Sequence, residues 1–460
     1  MPGPESPQLA IAGLSGGRPG RWPIQSRWRR NEAKSVVFGS PGSSSSSGFE
    51  RCIWGADRSA RSHARHLFRD RVAQKARAER RVDHPLRSLT NPSDIAQPPS
   101  SRPPDPAITP SLKALDELNL GDLEALRLIL AGDSVIDWRR LNFPDGNAAR
   151  QFIRIHELDP DSPQDRAYID HVKAEAIGYL RRNLSFSIPK PVERASLEEL
   201  LLLASSKGHR QLCACTVLKT IHIINHMAGR ELLFCLPVSD RDLFHLVEEK
   251  VYRVVGGMLS AGFPITEFIG GRKNLDSTYT KLLSKPEATA SALYDKLRFR
   301  IVTKSKNHIL PVLLYLTERL FPFNYVVPRQ SANTVLNLRH FCERHPHLCA
   351  LSERLGSSLD DAQSPTDNRF SSPAYRVIHF VTDVPVRVPA DIMELAPAGP
   401  DLLGPIVYML CEFQLLDAES EALNELGDAS HDAYKDRQRA AVSKRLRLGA
   451  KKATPPKRGN

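Results

Sequence analysis

The stretch EFQLLD, Glu412 to Asp417, is followed by ELGDASHDAYK, Glu425 to Lys435, and together they decide the fold. EFQLLD ends the alternating run IVYMLCEFQLL, which is typical of a strand with one buried face. Glu412 and Gln414 share a face of that strand, opposite its apolar side chains. An acidic group on an apolar strand needs a partner or a cation, because isolated burial costs several kcal/mol.

The segments around this strand predict a mixed sheet. KLRFRIV puts Lys296, Arg298 and Arg300 on one face and apolar residues on the other, and YRVIHFVTDV alternates in the same way. HILPVLLYLTERL between them predicts a helix, and a further helix is expected from about Asp417 to Lys435. ELGDASHDAYK within that helix either closes a site or is a solvated surface of mixed charge.

The preceding part of the chain predicts helices. Leucines in LKALDELNLGDLEALRLILAG are spaced three and four residues apart, as an amphipathic helix requires. Further helices are predicted at 146 to 157, 164 to 183, 196 to 206, 211 to 228 and 239 to 260. The expected fold class is therefore α+β, with an all-helical domain before a mixed-sheet α/β domain.

The positive charge of the chain is concentrated at its ends. Residues 1 to 100 carry 17 Lys and Arg against 8 Asp and Glu, and residues 436 to 460 carry 9 against 1. These two ends account for all of the net charge of the chain, which is +12. Polyanion binding by the whole protein is therefore not indicated, although the tails would suit contact with RNA or ribosomes. We expect a disordered Pro/Ser/Arg-rich tail over 1–108.

The other boundaries and the location follow from composition. We predict a helical domain over 109–260, a mixed-sheet domain over 261–440 with an insertion at 331–372, and a basic tail over 441–460. Seven scattered cysteines do not describe a disulfide framework. No run of about 18 apolar residues occurs, so we expect a cytoplasmic protein without membrane segments, with an oligomer left open.

Two segments offer groups for phosphate and metal. In GGRKNLDSTYTKLLSK, Arg272 and Lys273 can reach phosphate oxygens, and Ser277 and Lys281 follow on a predicted helix. A solvent-exposed basic helix start is the alternative. Asp295 precedes LRFRIV, and if it converges with Glu412, the two could hold Mg²⁺ with substrate phosphates. The alternative for either acid is a salt bridge to a neighbouring arginine.

Two histidine-rich segments could bind a metal or could have only a structural role. HFCERHPHLC, residues 340 to 349, contains three His and two Cys, but the spacing matches no regular zinc pair, and a partly buried helix end is the alternative. HIINH, His222 to His226, lacks the glutamate that zinc enzymes place after the first histidine. We therefore predict core or interface histidines there.

Taken together, these segments resemble the synthetase domain of RelA/SpoT-type alarmone synthetases. EFQLLD and ELGDASHDAYK resemble that family's strand E-[VI]-Q-[IL]-R-T and helix E-x-G-x-A-x-H-x-x-Y-K. YDKLRFRIV, YRVIH, FNYVVPR and GGRKNLDSTYTKLLSK resemble its Y-D-L-x-x-x-R-[IV]-[IV], G-Y-x-S-[IL]-H, K-D-Y-I-x-x-P-K and G-R-x-K-x-x-x-S-x-x-x-K segments. The matches follow the family's order across about 262 to 440.

The resemblance implies a nucleotidyltransferase-like fold and transfer of pyrophosphate from ATP to the 3′-hydroxyl of GDP or GTP. Asp295 and Glu412 would be catalytic and hold Mg²⁺, and Glu412 could accept the hydroxyl proton. Tyr375 would stack on guanine, and basic residues would neutralise triphosphate charge. The implied nucleotide-binding residues are Arg272, Lys273, Ser277, Lys281, Arg300, Arg329, Tyr375, His379, Gln414, His431 and Lys435.

The chain departs from the family pattern at the end of the EFQLLD strand. Leu415 or Leu416 stands where the family has arginine, and Asp417 replaces its threonine, so a phosphate contact is missing. A degenerate fold that binds a nucleotide or a partner protein without catalysis is therefore the alternative. Another acceptor such as tRNA is a second alternative, which the basic tails would suit.

Overall fold

The computed structural model describes residues 87–89, 112–285, 296–355, 370–396 and 403–446. From 112 to 260 the described chain is helical and contains α1 (Leu120–Ala131), α2 (Gly146–Ile155), α3 (Pro163–Leu184), α4 (Lys190–Arg194), α5 (Leu197–Ser205), α6 (His209–Cys235) and α7 (Asp240–Ser260). The helices predicted from apolar spacing are confirmed, and α6 continues to Cys235, beyond its predicted end at 228. None of the helices in the described ranges is both long and apolar enough to cross a membrane.

Helix α1 begins later than the spacing of its leucines predicts. A short 3₁₀ turn, Leu115–Glu117, precedes it. The backbone nitrogen of Asp122 donates to the Asn119 side chain (3.0 Å), and the Asn119 nitrogen donates to the Asp122 carboxylate (3.0 Å). This reciprocal cap satisfies backbone groups that a helix leaves unpaired at its start, and it therefore fixes where α1 begins.

A six-stranded mixed sheet follows in the part of the chain that the structure describes. Its strands are β1 (Arg87–Leu89), β2 (Ile265–Arg272), β3 (Leu297–Thr303), β4 (Ala332–Asn333), β5 (Ile378–Arg387) and β6 (Ile406–Asp417). The order is β1-β2-β3-β6-β5-β4, with β3 and β6 parallel and the other pairs antiparallel. The alternating runs predicted as strands are β3, β5 and β6, so the α+β class with a mixed sheet is confirmed.

The helix predicted from Asp417 to Lys435 is wrong, because the chain breaks there into two helices. The helices of this part are α8 (Leu275–Ser284), α9 (Ile309–Arg319), α10 (Leu338–Glu343), α11 (Pro346–Leu355), α12 (Ala390–Met393), α13 (Ala418–Asn424) and α14 (His431–Arg445). Gly427, between the last two, has a φ of 56°. That left-handed conformation cannot occur inside a right-handed helix.

One face of the sheet packs into the main hydrophobic core. The ring of Phe413 lies 5.4 Å from that of Phe299 and 5.6 Å from that of Phe380, measured between centroids. Gly270 pairs with Phe299, and a Cβ atom at Gly270 would lie 2.7 Å from the Phe299 ring, so only glycine fits. The same core contains buried side chains of α1 and α7. The core therefore contains residues from both sides of position 260, where the sequence predicts a domain boundary. The domain boundaries stay a prediction.

The opposite face of the sheet is covered by helices along only part of its length. Ile406 and Tyr408 belong to a second core, together with side chains of α2, α3, α5 and α6. Glu412 and Gln414, further along β6, lie on the same face as Tyr408, because side chains alternate along a strand.

The predicted tails lie almost wholly outside the described residues. The N-terminal tail is described only in β1, and the C-terminal one only as far as residue 446. Helix α14 continues to Arg445, inside the segment predicted as a tail from 441. Contact of the tails with RNA or ribosomes stays a prediction.

Candidate functional site

Three neighbouring strands bring five side chains to one surface, called here the polar face: Arg298, Arg300, His379, Glu412 and Gln414. Arg298 lies opposite Glu412 and Arg300 opposite Gln414 in the parallel pair β3 and β6. His379 lies opposite Gln414 in the antiparallel pair β5 and β6. Opposed residues in a sheet project to the same side. The register thus joins four predicted site residues and adds Arg298, which the sequence analysis left out of the site.

Glu412 is buried, with 4% of its surface exposed. The Gln414 side-chain nitrogen donates to Glu412 Oε1 (2.6 Å). Arg298 Nε lies 3.4 Å and His379 Nε2 3.5 Å from the same oxygen. Donors and a cation stabilise the ionised form of a buried carboxylate. The salt bridge to a neighbouring arginine, which was the alternative for Glu412, is therefore present.

Arg300 connects three parts of the site. Its Nε donates to Gln414 Oε1 (3.1 Å), Nη1 to Glu421 Oε1 on α13 (2.8 Å), and Nη2 to the Tyr375 hydroxyl (3.2 Å). The planar guanidinium fixes the direction of all three bonds. Arg300 therefore holds Tyr375, the predicted base-stacking residue, beside the end of β6.

The backbone around Tyr375 is also anchored. Asn424 of α13 accepts from the Arg376 nitrogen (2.8 Å) and donates to the Arg376 oxygen (2.7 Å). The Thr334 hydroxyl donates to the backbone carbonyl oxygen of Tyr375 (2.9 Å). Burial raises the pKa of the Tyr375 hydroxyl, and the charge of Arg300 opposes that shift. The hydroxyl consequently stays protonated at neutral pH.

The end of ELGDASHDAYK lies beside the polar face. Ser430 caps α14 by accepting from the Ala433 nitrogen. Burial lowers the pKa of His431, and Lys435, Arg298 and Arg300 lower it further. His431 and Lys435 lie one turn apart, on one face of α14. This segment therefore contributes to the surroundings of the site and is not only a solvated helix.

The structure shows site residues that the sequence analysis missed. Burial raises the pKa of Glu421, against the charge of Arg300, while Glu267 raises it further. Glu421 and Asn424 lie three residues apart, which puts them on one face of α13 once its end at Asn424 is known. The sequence does contain a signal for Arg298, because it lies two residues before Arg300 in an alternating strand and therefore shares the face of Arg300.

The strand register separates Arg272 from the polar face. Its Nε and Nη2 donate to the two carboxylate oxygens of Glu248 on α7 (3.1 and 3.0 Å), and its guanidinium lies 5.8 Å from the centroid of the Phe244 ring. Arg272 pairs with Leu297, a core-face residue, so it projects away from Glu412. Arg272 lies two positions after Gly270 in β2 and therefore shares the core face with it. The predicted contact of Arg272 with phosphate stays a prediction.

The remaining predicted phosphate-binding residues lie on α8, directly after β2 and beside the end of α1. Ser277 and Lys281 are one turn apart on α8, which packs against α14. Lys273 follows β2, and its backbone nitrogen donates to the Lys296 oxygen (3.0 Å). Arg329 has a φ of 62°, and its nitrogen donates to the Gly132 oxygen at the end of α1 (2.9 Å). Their phosphate contacts stay predictions.

The described side chains alone do not fit a magnesium site. Asp295, the predicted second carboxylate, lies outside the described residues. Within the described ranges, no group of three or more His, Cys, Asp and Glu side chains is placed to hold a metal ion. Mg²⁺ takes one or two carboxylates together with phosphate oxygens and water. Glu412 would therefore need Asp295 and substrate phosphates to complete such a site.

Side chains of both histidine-rich segments are buried in a core or contact other groups of the protein. Cys342 is buried in the main core, and His347 Nε2 lies 2.6 Å from the Leu118 oxygen. His222 contacts the Asn324 amide (3.0 Å), and His226 Nε2 lies 2.9 Å from Asp383 Oδ2. Burial lowers the pKa of His222 to about 3. The prediction of core or interface histidines in HIINH is confirmed.

Solved structures similar to this chain include small alarmone synthetases. Small alarmone synthetase 1 from Bacillus subtilis is 15% identical over 45% of this chain and 91% of that chain, with a TM-score of 0.24. The same synthetase bound to its product pppGpp is 18% identical over 40% and 74%, with a TM-score of 0.21. Small alarmone synthetase 2 from Bacillus subtilis is 14% identical over 47% and 94%, with a TM-score of 0.23.

No protein-family model matches the chain, and no curated protein matches its sequence. At these identities and TM-scores, what the chain does rests on its own residues and contacts. In sequence motifs and in these matches alike, the proteins that this chain resembles are alarmone synthetases.

Proposed function

We propose that this chain is a nucleotide pyrophosphokinase of nucleotidyltransferase-like fold, which transfers pyrophosphate from ATP to the 3′-hydroxyl of GDP or GTP. The observation that carries the proposal is the convergence of Arg300, His379, Glu412 and Gln414 on one sheet face, with the Tyr375 hydroxyl bonded to Arg300 beside it. An aromatic ring, a fixed guanidinium and an enclosed carboxylate are what nucleotide binding and hydroxyl activation require.

Each residue has a role in this reaction. Tyr375 stacks on guanine, and Arg300 and Lys435 supply positive potential for phosphates. His431, whose lowered pKa keeps it neutral at neutral pH, can donate a hydrogen bond to them. The 3′-oxygen bonds to the β-phosphorus of ATP, the bond from that phosphorus to the oxygen shared with the α-phosphate breaks, and AMP leaves. Glu412 takes the hydroxyl proton. Mg²⁺, held by Glu412 and Asp295 with phosphate oxygens, would neutralise the developing charge.

A second candidate function is nucleotide binding without catalysis. The contact between Arg298 and Glu412 favours it, because a carboxylate paired with a guanidinium is a poor base and a poor metal ligand. The two candidates share the binding site and differ in whether a product forms.

The test measures product and binding together. The purified protein is incubated with Mg²⁺, radiolabelled ATP and GDP or GTP, and nucleotides are separated by thin-layer chromatography. Glu412→Ala and Asp295→Ala should each lower the rate at least about 100-fold, because general-base and electrostatic contributions have that size. Asp436→Ala removes an exposed carboxylate paired with Arg439 and should leave the rate unchanged.

The outcomes separate the candidates. A guanosine polyphosphate that the wild type makes and both active-site variants lack establishes the pyrophosphokinase. GTP binding without any product favours nucleotide binding without catalysis. Transfer of pyrophosphate to an RNA would show that RNA, and not GDP or GTP, is the acceptor. Absence of nucleotide binding would reject both.

A further inference from the structure

The two arginines of the polar face are held in different ways. Arg300 donates from three nitrogens to β6, α13 and the segment before β5, so it is part of the framework. Arg298 faces Glu412 across the parallel pair, with its Nε 3.4 Å from Oε1. Its side chain is 26% exposed and that of Glu412 only 6%. Although Arg298 Nε is itself buried, the arginine side chain is the more exposed partner of the pair, so a ligand reaches it before the carboxylate.

Arg298 also lies between the other groups of the site. Its charge acts on the Tyr375 hydroxyl and on the His431 imidazole. The C-terminal end of β6 offers the buried residues Glu412, Gln414 and Leu416 to this face, and none of them is a cation. Positive charge next to Glu412 therefore comes from the neighbouring strand, β3.

We propose that Arg298 binds a phosphate of the nucleotide and, in doing so, exchanges Glu412 for phosphate oxygens. The identity of the ligand rests on the proposed function. A guanidinium matches phosphate geometry, and a di- or triphosphate offers more negative charge than one carboxylate. The exchange takes the cation away from Glu412, and the carboxylate is then available to the attacking hydroxyl. Arg298 therefore pairs with Glu412 before the nucleotide binds, and Glu412 acts in catalysis after Arg298 has bound the phosphate.

The first experiment compares GTP with guanosine, which has no phosphate. Dissociation constants are measured by calorimetry on the full chain in buffer with EDTA, which removes any magnesium. Arg298→Ala should weaken GTP binding about 10- to 100-fold, because charge-assisted hydrogen bonds are lost, and should leave guanosine binding unchanged. Arg298→Lys should lie between, since lysine keeps the charge without the planar fork. Arg439→Ala, an exposed arginine, should match the wild type.

The second experiment tests the exchange itself. Glu412→Gln removes the charge that holds Arg298, so GTP binding in EDTA should tighten by a factor of roughly 2 to 10 at the strength of a half-buried ion pair. The tightening should be smaller in the Arg298→Ala background. Such coupling in a double-mutant cycle shows that the two effects share one interaction. A structural role for Arg298 alone would not produce it.

The results have distinct meanings. Equal GTP affinity in Arg298→Ala and the wild type overturns the inference and leaves the proposed function standing. Weaker GTP binding with unchanged guanosine binding supports it, even where no product forms. A wild type that binds no nucleotide overturns both. Thermal unfolding is compared first, and if Arg298→Ala does not fold, Arg298→Lys carries the test with an expected loss of several-fold.

Discussion

The two ends of β6 present polar side chains to the same sheet face, yet they differ in kind. At one end, Asn225 of α6 donates to the Tyr408 hydroxyl (2.5 Å) and accepts from the Tyr168 hydroxyl (2.8 Å), and the Tyr325 hydroxyl donates to Tyr408 (2.9 Å). These groups are neutral and buried. At the other end, charged groups surround Glu412 and reach solvent.

The difference teaches that the covering helices determine what each end can do. Where helices exclude water, polar groups need hydrogen-bond partners and carboxylates such as Asp383 need a partner such as His226, because an unpaired charge there is costly. Where the face is open, charges persist and a ligand can approach. We therefore expect changes at the Tyr408 end to lower stability, and changes at the Glu412 end to alter nucleotide affinity or the rate of the reaction.

The largest expected effect comes from Tyr408→Ala. Tyr408 is fully buried, and its removal leaves a cavity and takes the acceptor from the Tyr325 hydroxyl, so the free energy of unfolding should fall by about 3 to 5 kcal/mol. Urea denaturation measures it. Tyr179→Ala, at a tyrosine that is 45% exposed, should change the value by less than about 0.5 kcal/mol. A similar small loss for Tyr408→Ala would break the comparison.

A slightly smaller effect should follow from acidification. Burial lowers the pKa of His156 to about 4 and that of His222 to about 3. The unfolded chain takes up protons at both near pH 6.5, whereas the folded chain does not until lower pH, so stability falls as the pH drops. Between pH 7 and pH 5 these two groups should remove roughly 3 to 4 kcal/mol.

Urea denaturation at both pH values tests this, with the wild type compared with a His156→Gln, His222→Gln double variant. The double variant should lose less stability over the same interval. Parallel pH dependence of the two proteins would show that the histidines do not control it.

The smallest effect is expected for Tyr375→Phe, at the open end. The change removes the hydroxyl that Arg300 contacts and keeps the ring, so GTP binding should weaken less than about tenfold. Tyr375→Ala also removes the stacking surface and should weaken binding further. If Tyr375→Phe abolished binding, the hydroxyl rather than the ring would be the recognition element.

Local patterns in the sequence predicted the strands and the faces of their side chains. Alternation placed Glu412 with Gln414 and Arg298 with Arg300, because strand geometry repeats every two residues. It could not show that helices cover Tyr408 while partly exposed side chains such as Arg298 surround Glu412, since the covering residue Asn225 lies 183 positions before Tyr408. The turn at Gly427 was also missed, although Gly427, Asp428 and Ser430 favour turns and helix caps over helix interiors. A motif match carries no strand register, so it could not show that Arg272 lies on the core face beside Glu248.

The sheet ends in two very short strands, β1 with three residues and β4 with two. Edge strands expose unpaired backbone groups to which other chains can add, and short edges limit that risk. β1 comes from a segment far from the rest of the sheet in sequence and pairs with Phe268 to Gly270 of β2. A shortened chain that began after residue 90 would leave this part of β2 as an open template, so the N-terminal segment bears on resistance to aggregation.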